Sequence, residues 1–581
     1  MTSDNRLVVC LICLAVWILL SGLDDLFIAL VAIFPKGERR CRWPTDAEAS
    51  SAPERRIAIL VPLWKEERVI GRMLERNLAG IQYANYDFFA GAYLNDALTT
   101  AAVAEAARRS PRVHLAPVPH NGPTSKGDCL NAIFDCLLEH EAANGVRYDV
   151  IVTHDAEDVV APESLRLINW FSRDYQMVQI PVLPLPTGVA EMTHGVYCDE
   201  FTECQLKDLP ARQRLGGFLP SNGVGAGFDR NALERLASTR GGRIFDPACL
   251  TEDYENGFRL HALGCRQILV PLRLPASALV ATREYFPRRL HAAIRQRSRW
   301  VAGIALQGWE HHGWRAPLRQ LYFFWRDRKG LVGNLLSPIA NLLFFCWVAG
   351  WGGVGGIPAW ASRLCTATLS LSLIHFLIRA TLSARVYGWR FAAGVLPRMF
   401  WGNLLNCAAT ISALRQFAAA RLRGRALAWR KTDHKYPACP TPGQGRLGEL
   451  LVRMRAISLE DLQAALGTCP PGMRLGQHLL KLRKLKEEQL YQALSAQAGL
   501  ELGVPDGGEV VAAATRALPA ETIRRFNVLP YRVDFGQLHL LTPEVPSPRL
   551  TQELAALCPL DLHFRLVRPT EFERLCEQYL G

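Results

Sequence analysis

The chain has 581 residues, too many for one hydrophobic core, so two or more domains are expected. Apolar residues make up 49% and mean hydropathy is +0.04, high for a soluble protein of this size and too low for a pure transporter, which fits an enzyme joined to a few membrane spans. A net charge of +13 raises nucleic acid as a partner, but much of the excess lies beside apolar segments, where basic residues meet anionic lipid and fix topology, so the bilayer is the expected partner and nucleic acid is not.

Residues 7–33 are almost continuously apolar apart from Asp24 and Asp25. About 20 apolar residues cross a bilayer, so a helix over residues 7–26 is expected to span it. No small-residue cleavage site follows, which reads as an anchor. Lys36, Arg39, Arg40 and Arg42 then place that end in the cytoplasm, with Asp24 and Asp25 at the inner interface. Cys10 and Cys13 form a CxxC inside the apolar helix, and the sixteen cysteines are otherwise scattered, with no zinc-site or disulfide spacing.

From Arg55 the pattern changes to alternating strands and helices. Expected strands cover residues 57–62, 88–94, 113–118 and 149–153, with helices from Thr99 and from near Ser125. Such alternation predicts an α/β domain with a parallel sheet covered on both faces and a ligand at the strands' carboxyl ends. Glu66, Asp96 and Asp155 each follow such an end, so three acids converge on one candidate site. Downstream come Thr251-Glu252-Asp253 and the cluster Gln296-Arg297-Ser298-Arg299-Trp300. A Gly-rich run, Asn222 to Gly227, reads as a tight backbone turn.

In this order the motifs resemble those of membrane-embedded, inverting family-2 glycosyltransferases. The resemblance implies a Rossmann-like nucleotide-sugar domain of the glycosyltransferase A type. Pro62 and Glu66 look like its first strand end and nucleotide-contacting acid, Asp96 like its second such acid, and Lys126-Gly127 like its Lys-Gly segment near the diphosphate. Asp155-Ala156-Glu157-Asp158 resembles its metal motif, with Glu157 where Asp is usual. Gln296, Arg299 and Trp300 resemble the Gln-x-x-Arg-Trp of membrane polysaccharide synthases, whose Arg meets the diphosphate and whose Trp flanks the acceptor. Breaking a sugar–diphosphate bond develops charge that a hard cation can neutralise, so Asp155, Glu157 and Asp158 are expected to hold Mg²⁺ or Mn²⁺. The acceptor hydroxyl needs a base, for which Asp253 is the candidate and Glu252 the reserve.

Further apolar segments at residues 331–357 and 364–382 are expected to cross outward and back, with Arg326 to Lys329 cytoplasmic before them. Residues 391–417 are apolar but interrupted by Arg398, Asn403, Asn406 and Arg415, which predicts an amphipathic helix in the interface. After a linker containing Pro437, Pro440 and Pro442, Arg446-Leu447-Gly448 recurs 28 residues on as Arg474-Leu475-Gly476, and Leu462 and Leu466 recur as Leu490 and Leu494. With Gln497 these openings resemble the cyclic di-GMP-binding MshEN domain, although Arg455, Arg483 and Cys469 depart from its motif. The expected layout is an anchor over 1–36, a cytoplasmic transferase over 37–326, two spans and the interface helix over 327–436, and an MshEN-like regulatory domain over 437–581. This architecture resembles the NfrB-type inner-membrane proteins known as phage-adsorption factors. It implies a UDP-sugar-dependent transferase that extends an exopolysaccharide under cyclic di-GMP control, with an outer-membrane export protein as a partner. A single-sugar transferase acting on lipid and a catalytically silent scaffold or phage-receptor component are the alternatives.

Overall fold

A computed structural model describes residues 3–34, 43–239, 241–272, 279–349, 358–424, 427, 447–454, 456–470, 473–498, 500–505, 514–534, 537–547, 550–551, 553–554, 558 and 560–580. Lys36, Arg39, Arg40, Arg42, the Pro437–Pro442 linker prolines, Arg446 and Arg455 lie outside the described residues. The chain divides into two compact units, Met1–Tyr436 and Pro437–Gly581.

The first unit is organised by a seven-stranded sheet. Its strands are β1 (Ile57–Pro62), β2 (Tyr86–Tyr93), β3 (Val113–Val118), β4 (Val150–Thr153), β5 (Met177–Gln179), β7 (Ala226–Asp229) and β8 (Gln267–Leu269), in the order β3-β2-β1-β4-β7-β5-β8. In β1 the period-two alternation sends Ile57, Ile59 and Val61 to one core and Ala58 and Leu60 to the other, all of them fully buried. Helices Ile70–Gly80 and Ser164–Phe171 cover the first face, and Lys126–Asn144 and Arg230–Ser238 the second. The expected parallel pairing holds for β1 with β2 and β4, and for β2 with β3. It fails at β7, which runs antiparallel to both β4 and β5. The chain turns into β7 through Gly223 and Gly225, whose φ values of 77° and 62° reverse its direction. A second, two-stranded sheet pairs β6 (Val182–Pro184) with β9 (Thr282–Glu284).

Among the described residues, three helices contain stretches long and apolar enough to cross a membrane: Val8–Ile33, Leu318–Cys346 and Ala359–Tyr387. The first and second differ from the sequence expectation. The first runs past Asp24 and Asp25, and the second starts thirteen residues earlier than residue 331, taking in Arg326 to Lys329. Mutual pairing explains both shifts. Asp24 accepts hydrogen bonds from Tyr322 (2.6 Å), Arg326 and Lys329 (2.8 Å), and Asp25 pairs with Lys329 at 2.9 Å. Charges that neutralise one another can stay helical at an apolar boundary where isolated ones could not.

Helix Val395–Leu422 follows a short helix, Trp389–Ala392. Arg398 is wholly buried, with Nε 2.7 Å from Asp199 and its ring-facing plane 4.0 Å from Phe391. Asn406 accepts from Arg297 at 2.6 Å, and Asn403 donates to Asn341 at 3.2 Å. Leu396, Leu404 and Ile411 face outward from the same helix. Three of the polar residues that interrupt its apolar run, Arg398, Asn403 and Asn406, therefore pack inward against the rest of the unit, while Arg415 is exposed.

The second unit carries a four-stranded sheet of β10 (Glu501–Leu502), β11 (Leu529–Asp534), β12 (Gln537–Thr542) and β13 (Asp561–Leu566), ordered β10-β13-β12-β11. Before it stand four helices, Leu447–Arg453, Leu459–Thr468, Leu475–Lys481 and Glu487–Ala498. The sequence repeat is also a packing repeat. A Cβ on Gly448 would lie 2.5 Å from Leu462 and 3.3 Å from Leu475; one on Gly476 would lie 2.6 Å from Leu490 and 3.3 Å from Leu447. Each copy's glycine thus receives a leucine from its own copy and another from its twin. Leu466 is the exception to the leucine core, being 58% exposed, while Leu494 packs partly buried. Arg483, standing where the MshEN pattern has Gly, takes a left-handed φ of 53°.

Candidate active site

One cleft opens at the carboxyl ends of β1, β2 and β4. It is lined by Pro62, Glu66, Lys126, Asp155, Glu157, Glu252, Asp253, Gln296, Arg299 and Trp300, so ten sequence-selected residues meet there. Asp96 and Asp158 are not among its lining residues. Asp96 caps helix Ala97–Arg109 and accepts from the backbone N–H of Lys65 at 2.5 Å, holding the turn that presents Glu66. Asp158 is fully buried beneath the cleft, 2.7 Å from His154 Nδ1 and 3.0 Å from the backbone N–H of Asp155. Burial lowers the His154 pKa to about 3, and burial together with Asp155 and Glu157 pushes Asp158 upward. The contacts of Asp158 with His154 and the Asp155 backbone shape the turn that offers Asp155 and Glu157 to the cleft.

Lys126 opens helix Lys126–Asn144 behind its N-cap, Ser125. Its Nζ lies 2.6 Å from Asp155 Oδ1 and 3.3 Å from the carbonyl of Gly223. Burial alone would depress the lysine, but Asp155, Glu252 and Asp253 around it lift its pKa above the ordinary value, so it stays charged. The Lys126 ammonium pairs with the Asp155 carboxylate at the floor of the cleft. Asp155 and Glu157 offer the hard oxygen donors that Mg²⁺ or Mn²⁺ take, so the donor set fits such an ion.

Glu252 and Asp253 begin helix Glu252–Ala262. Three fastenings place them. Asn131 exchanges two hydrogen bonds with the backbone of Phe245, at 2.8 and 3.0 Å, tying the preceding loop to the Lys126 helix. Gln307 does the same for the backbone of Ala248 and Leu250, at 3.0 and 2.9 Å. Tyr254 donates to Asp327 at 2.6 Å, joining this helix to the long apolar helix Leu318–Val348. Gly223 lies directly against the acid: a Cβ there would sit 2.7 Å from Asp253 Oδ2. Burial first, then Asp253, raises the pKa of Glu252 to about 7; burial likewise raises Asp253, against Lys126 and Arg299. Carboxylates raised above their ordinary range suit proton abstraction from a hydroxyl.

Helix Leu290–Trp300 closes the other side. Gln296 is nine-tenths buried, and its Oε1 has no hydrogen-bond partner among the described residues. Trp300 lies edge-on to Tyr197, at 6.0 Å between ring centroids, and to Phe286, at 6.3 Å. Between the cleft-facing Gln296 and Arg299, Arg297 turns away to Glu200 at 2.6 Å and to Asn406. Phe201, Glu284, Phe286, Trp64 and Tyr93 also line the cleft and escaped the sequence reading. They come from separated segments without a motif, although the aromatic pair Tyr285-Phe286 close behind β9 is a usable signal.

Residues 53–303 match the model of the glycosyltransferase-like family 2, and residues 498–581 that of the MshEN domain. Over 565 residues the chain is 35% identical to the bacteriophage adsorption protein B of Escherichia coli strain K12, covering 91% of this chain and 75% of that protein. The chain belongs to the bacteriophage adsorption protein B family. The bacteriophage N4 adsorption protein B of E. coli O157:H7 matches with the same identity and coverage. Among solved structures, a mannosyltransferase from Pyrobaculum calidifontis in complex with GDP-Man and Mn²⁺ is 17% identical, with 70% of this chain and 99% of that one covered and a TM-score of 0.44. A structure of MshE with cdg is 26% identical, covering 23% of this chain and 99% of that one, with a TM-score of 0.22. This member of the adsorption protein B family thus carries a glycosyltransferase-like family 2 domain with an MshEN domain behind it.

Proposed function

We propose that this protein is an inverting, inner-membrane hexosyltransferase that polymerises a sugar from a UDP-sugar donor into an exopolysaccharide and is activated by cyclic di-GMP. The observation that carries the reading is the meeting, in one cleft, of the Glu252–Asp253 pair with the Lys126–Asp155 contact and with Gln296, Arg299 and Trp300. Asp155 and Glu157 would hold Mg²⁺ or Mn²⁺, which when bound neutralises the departing diphosphate. Lys126 and Arg299 add fixed positive charge around that group, and Gln296 donates or accepts at its edge. Glu66, with Pro62 beside it, faces the nucleotide, and Asp96 supports that turn. Trp300, backed by Tyr197 and Phe286, offers a flat apolar face to the acceptor sugar. Asp253 takes the acceptor's proton, with Glu252 beside it as the reserve base.

Three membrane-crossing helices with the transferase and the C-terminal unit in the cytoplasm, and helix Val395–Leu422 lying in the interface, follow from the apolar spans and from the outward face of Leu396, Leu404 and Ile411. In the C-terminal unit, the recurring Leu447-Gly448 and Leu475-Gly476 openings, Arg446 and Arg474, the leucines 462, 466, 490 and 494, and Gln497 form the reading for cyclic di-GMP. Export of the polymer would use an outer-membrane partner. Product size decides between this and its rivals. Chains of many sugars formed in proteoliposomes support polymerisation, a single sugar on lipid shows the acceptor to be lipid, and no product from any UDP-sugar points to a silent scaffold.

A further inference from the structure

The sequence contains no zinc-finger spacing, yet its fold gathers a cysteine, a carboxylate and two histidines just behind the base. Cys249 Sγ lies 3.8 Å from His311 Nδ1, and His311 Nδ1 lies 3.8 Å from Glu255 Oε2; the three donor atoms are all within 4.8 Å of one another. Zinc bound to sulfur, nitrogen and oxygen at its usual bond lengths places neighbouring ligand atoms about 3.3–3.7 Å apart, so the two contacts of His311, at 3.8 Å each, are slightly wider than that, and all three donors, within 4.8 Å, would draw together around the ion. The donors come from the loop before Thr251, from helix Glu252–Ala262 and from the end of helix Gly308–His312. Their separation of up to 62 positions explains why no motif shows them.

We infer that Cys249, Glu255 and His311 bind a zinc ion that ties the helix carrying the catalytic base to the segment entering the membrane-crossing helix Leu318–Val348. The donor set selects the metal. A thiolate and an imidazole suit zinc and are poor ligands for Mg²⁺, which demands oxygen. Glu255 is buried and divides its two oxygens: Oε1 takes Arg259, while Oε2 takes His312 Nε2 at 2.7 Å and faces His311. His312 is thereby placed to orient the carboxylate, as an outer partner does in metal sites. His311 is 30% exposed at its side chain, which gives the ion an entry path and leaves a fourth position for water. Binding would release the Cys249 thiol proton to solvent and leave the metal on the thiolate. The loop and the helix end are already joined by Gln307, so the ion would brace a joint the fold has built.

The test uses the full-length protein in detergent, stripped with chelator, reloaded with zinc or cobalt(II) and dialysed. The inference predicts a single tightly held zinc per chain and, with cobalt, a sulfur-to-metal charge-transfer band in the near ultraviolet. Cys249→Ser and His311→Ala should each abolish that band and the retained zinc. His312→Gln should weaken zinc by about 10–100-fold, and Asp155→Asn, at the other cation site, should keep both signals. Circular dichroism checks that each variant is folded. Wild-type protein that retains no zinc, that shows no thiolate band with cobalt, or that matches Cys249→Ser and His311→Ala in zinc content would overturn the inference and leave the cluster as ion pairing around Glu255.

Discussion

At the scale of single residues, Gly223 is the most exacting position near the base. Its φ of 77° and the 2.7 Å approach of a would-be Cβ to Asp253 Oδ2 leave no room for a side chain. Gly223→Ala is expected to displace Asp253 and lower kcat on the order of 10²-fold with donor affinity little changed, because small misplacements of a reacting group are costly. Steady-state kinetics at saturating metal would check it. The pH profile offers a second check. Burial raises both acids, and Asp253 adds to it at Glu252, which is raised to about 7; a base acts only when deprotonated. Turnover should therefore be low in acid and rise through neutrality. Glu252→Gln removes the group raised to about 7, so the rising limb should move to more acidic pH. A limb that stays put would show that Glu252 does not set the basicity. Asp155, Glu157, Asp253 and Arg299 were legible because each stands in a short local motif. Asp158 was legible as an acid but not as a buried one, since spacing gives no depth. Glu284 was illegible because only the fold brings β9 to the cleft, and Phe286 had no more than the adjacent Tyr285 to mark it.

At the scale of elements, hydropathy located the apolar helices and missed how charges inside them are used. Arg326 and Lys329 read as a cytoplasmic loop because a charge count cannot see Asp24 and Asp25 three hundred residues away. Helix Val395–Leu422 posed the same problem, and Arg398 shows its resolution. Arg398→Ala would leave the buried Asp199 carboxylate without its guanidinium, a loss of about 3–5 kcal/mol for broken buried pairs. A large drop in detergent thermal stability is expected, with much of it recovered when Asp199→Asn is added. If the double variant is no more stable than Arg398→Ala, the arginine acts by packing alone. The strands were read to the residue in β1 and β3, each six residues long and mostly apolar. The three- and four-residue strands β5, β7 and β8 carry too few positions for a period, which is why the reversal at β7 went unseen.

At the scale of the whole molecule, a catalytic unit and a repeat-built unit share one chain, and the family match covers both ends of it. The 28-residue repeat was legible because packing preserved both glycines and their leucines. Arg474 caps a helix with its side chain 76% exposed, near Glu544 at 3.8 Å, so its substitution should not disturb the fold. Arg474→Ala is expected to weaken labelled cyclic di-GMP at least tenfold while leaving thermal stability unchanged; equal binding would remove the arginine from the reading. The most direct test of the account is UDP release by the purified protein from a panel of UDP-sugars with Mg²⁺ or Mn²⁺, beside Asp253→Asn, with and without cyclic di-GMP. The account predicts release that rises with the dinucleotide and falls by about 10²–10⁴-fold in Asp253→Asn, the share a general base contributes. Release that is equal in wild type and Asp253→Asn would contradict it.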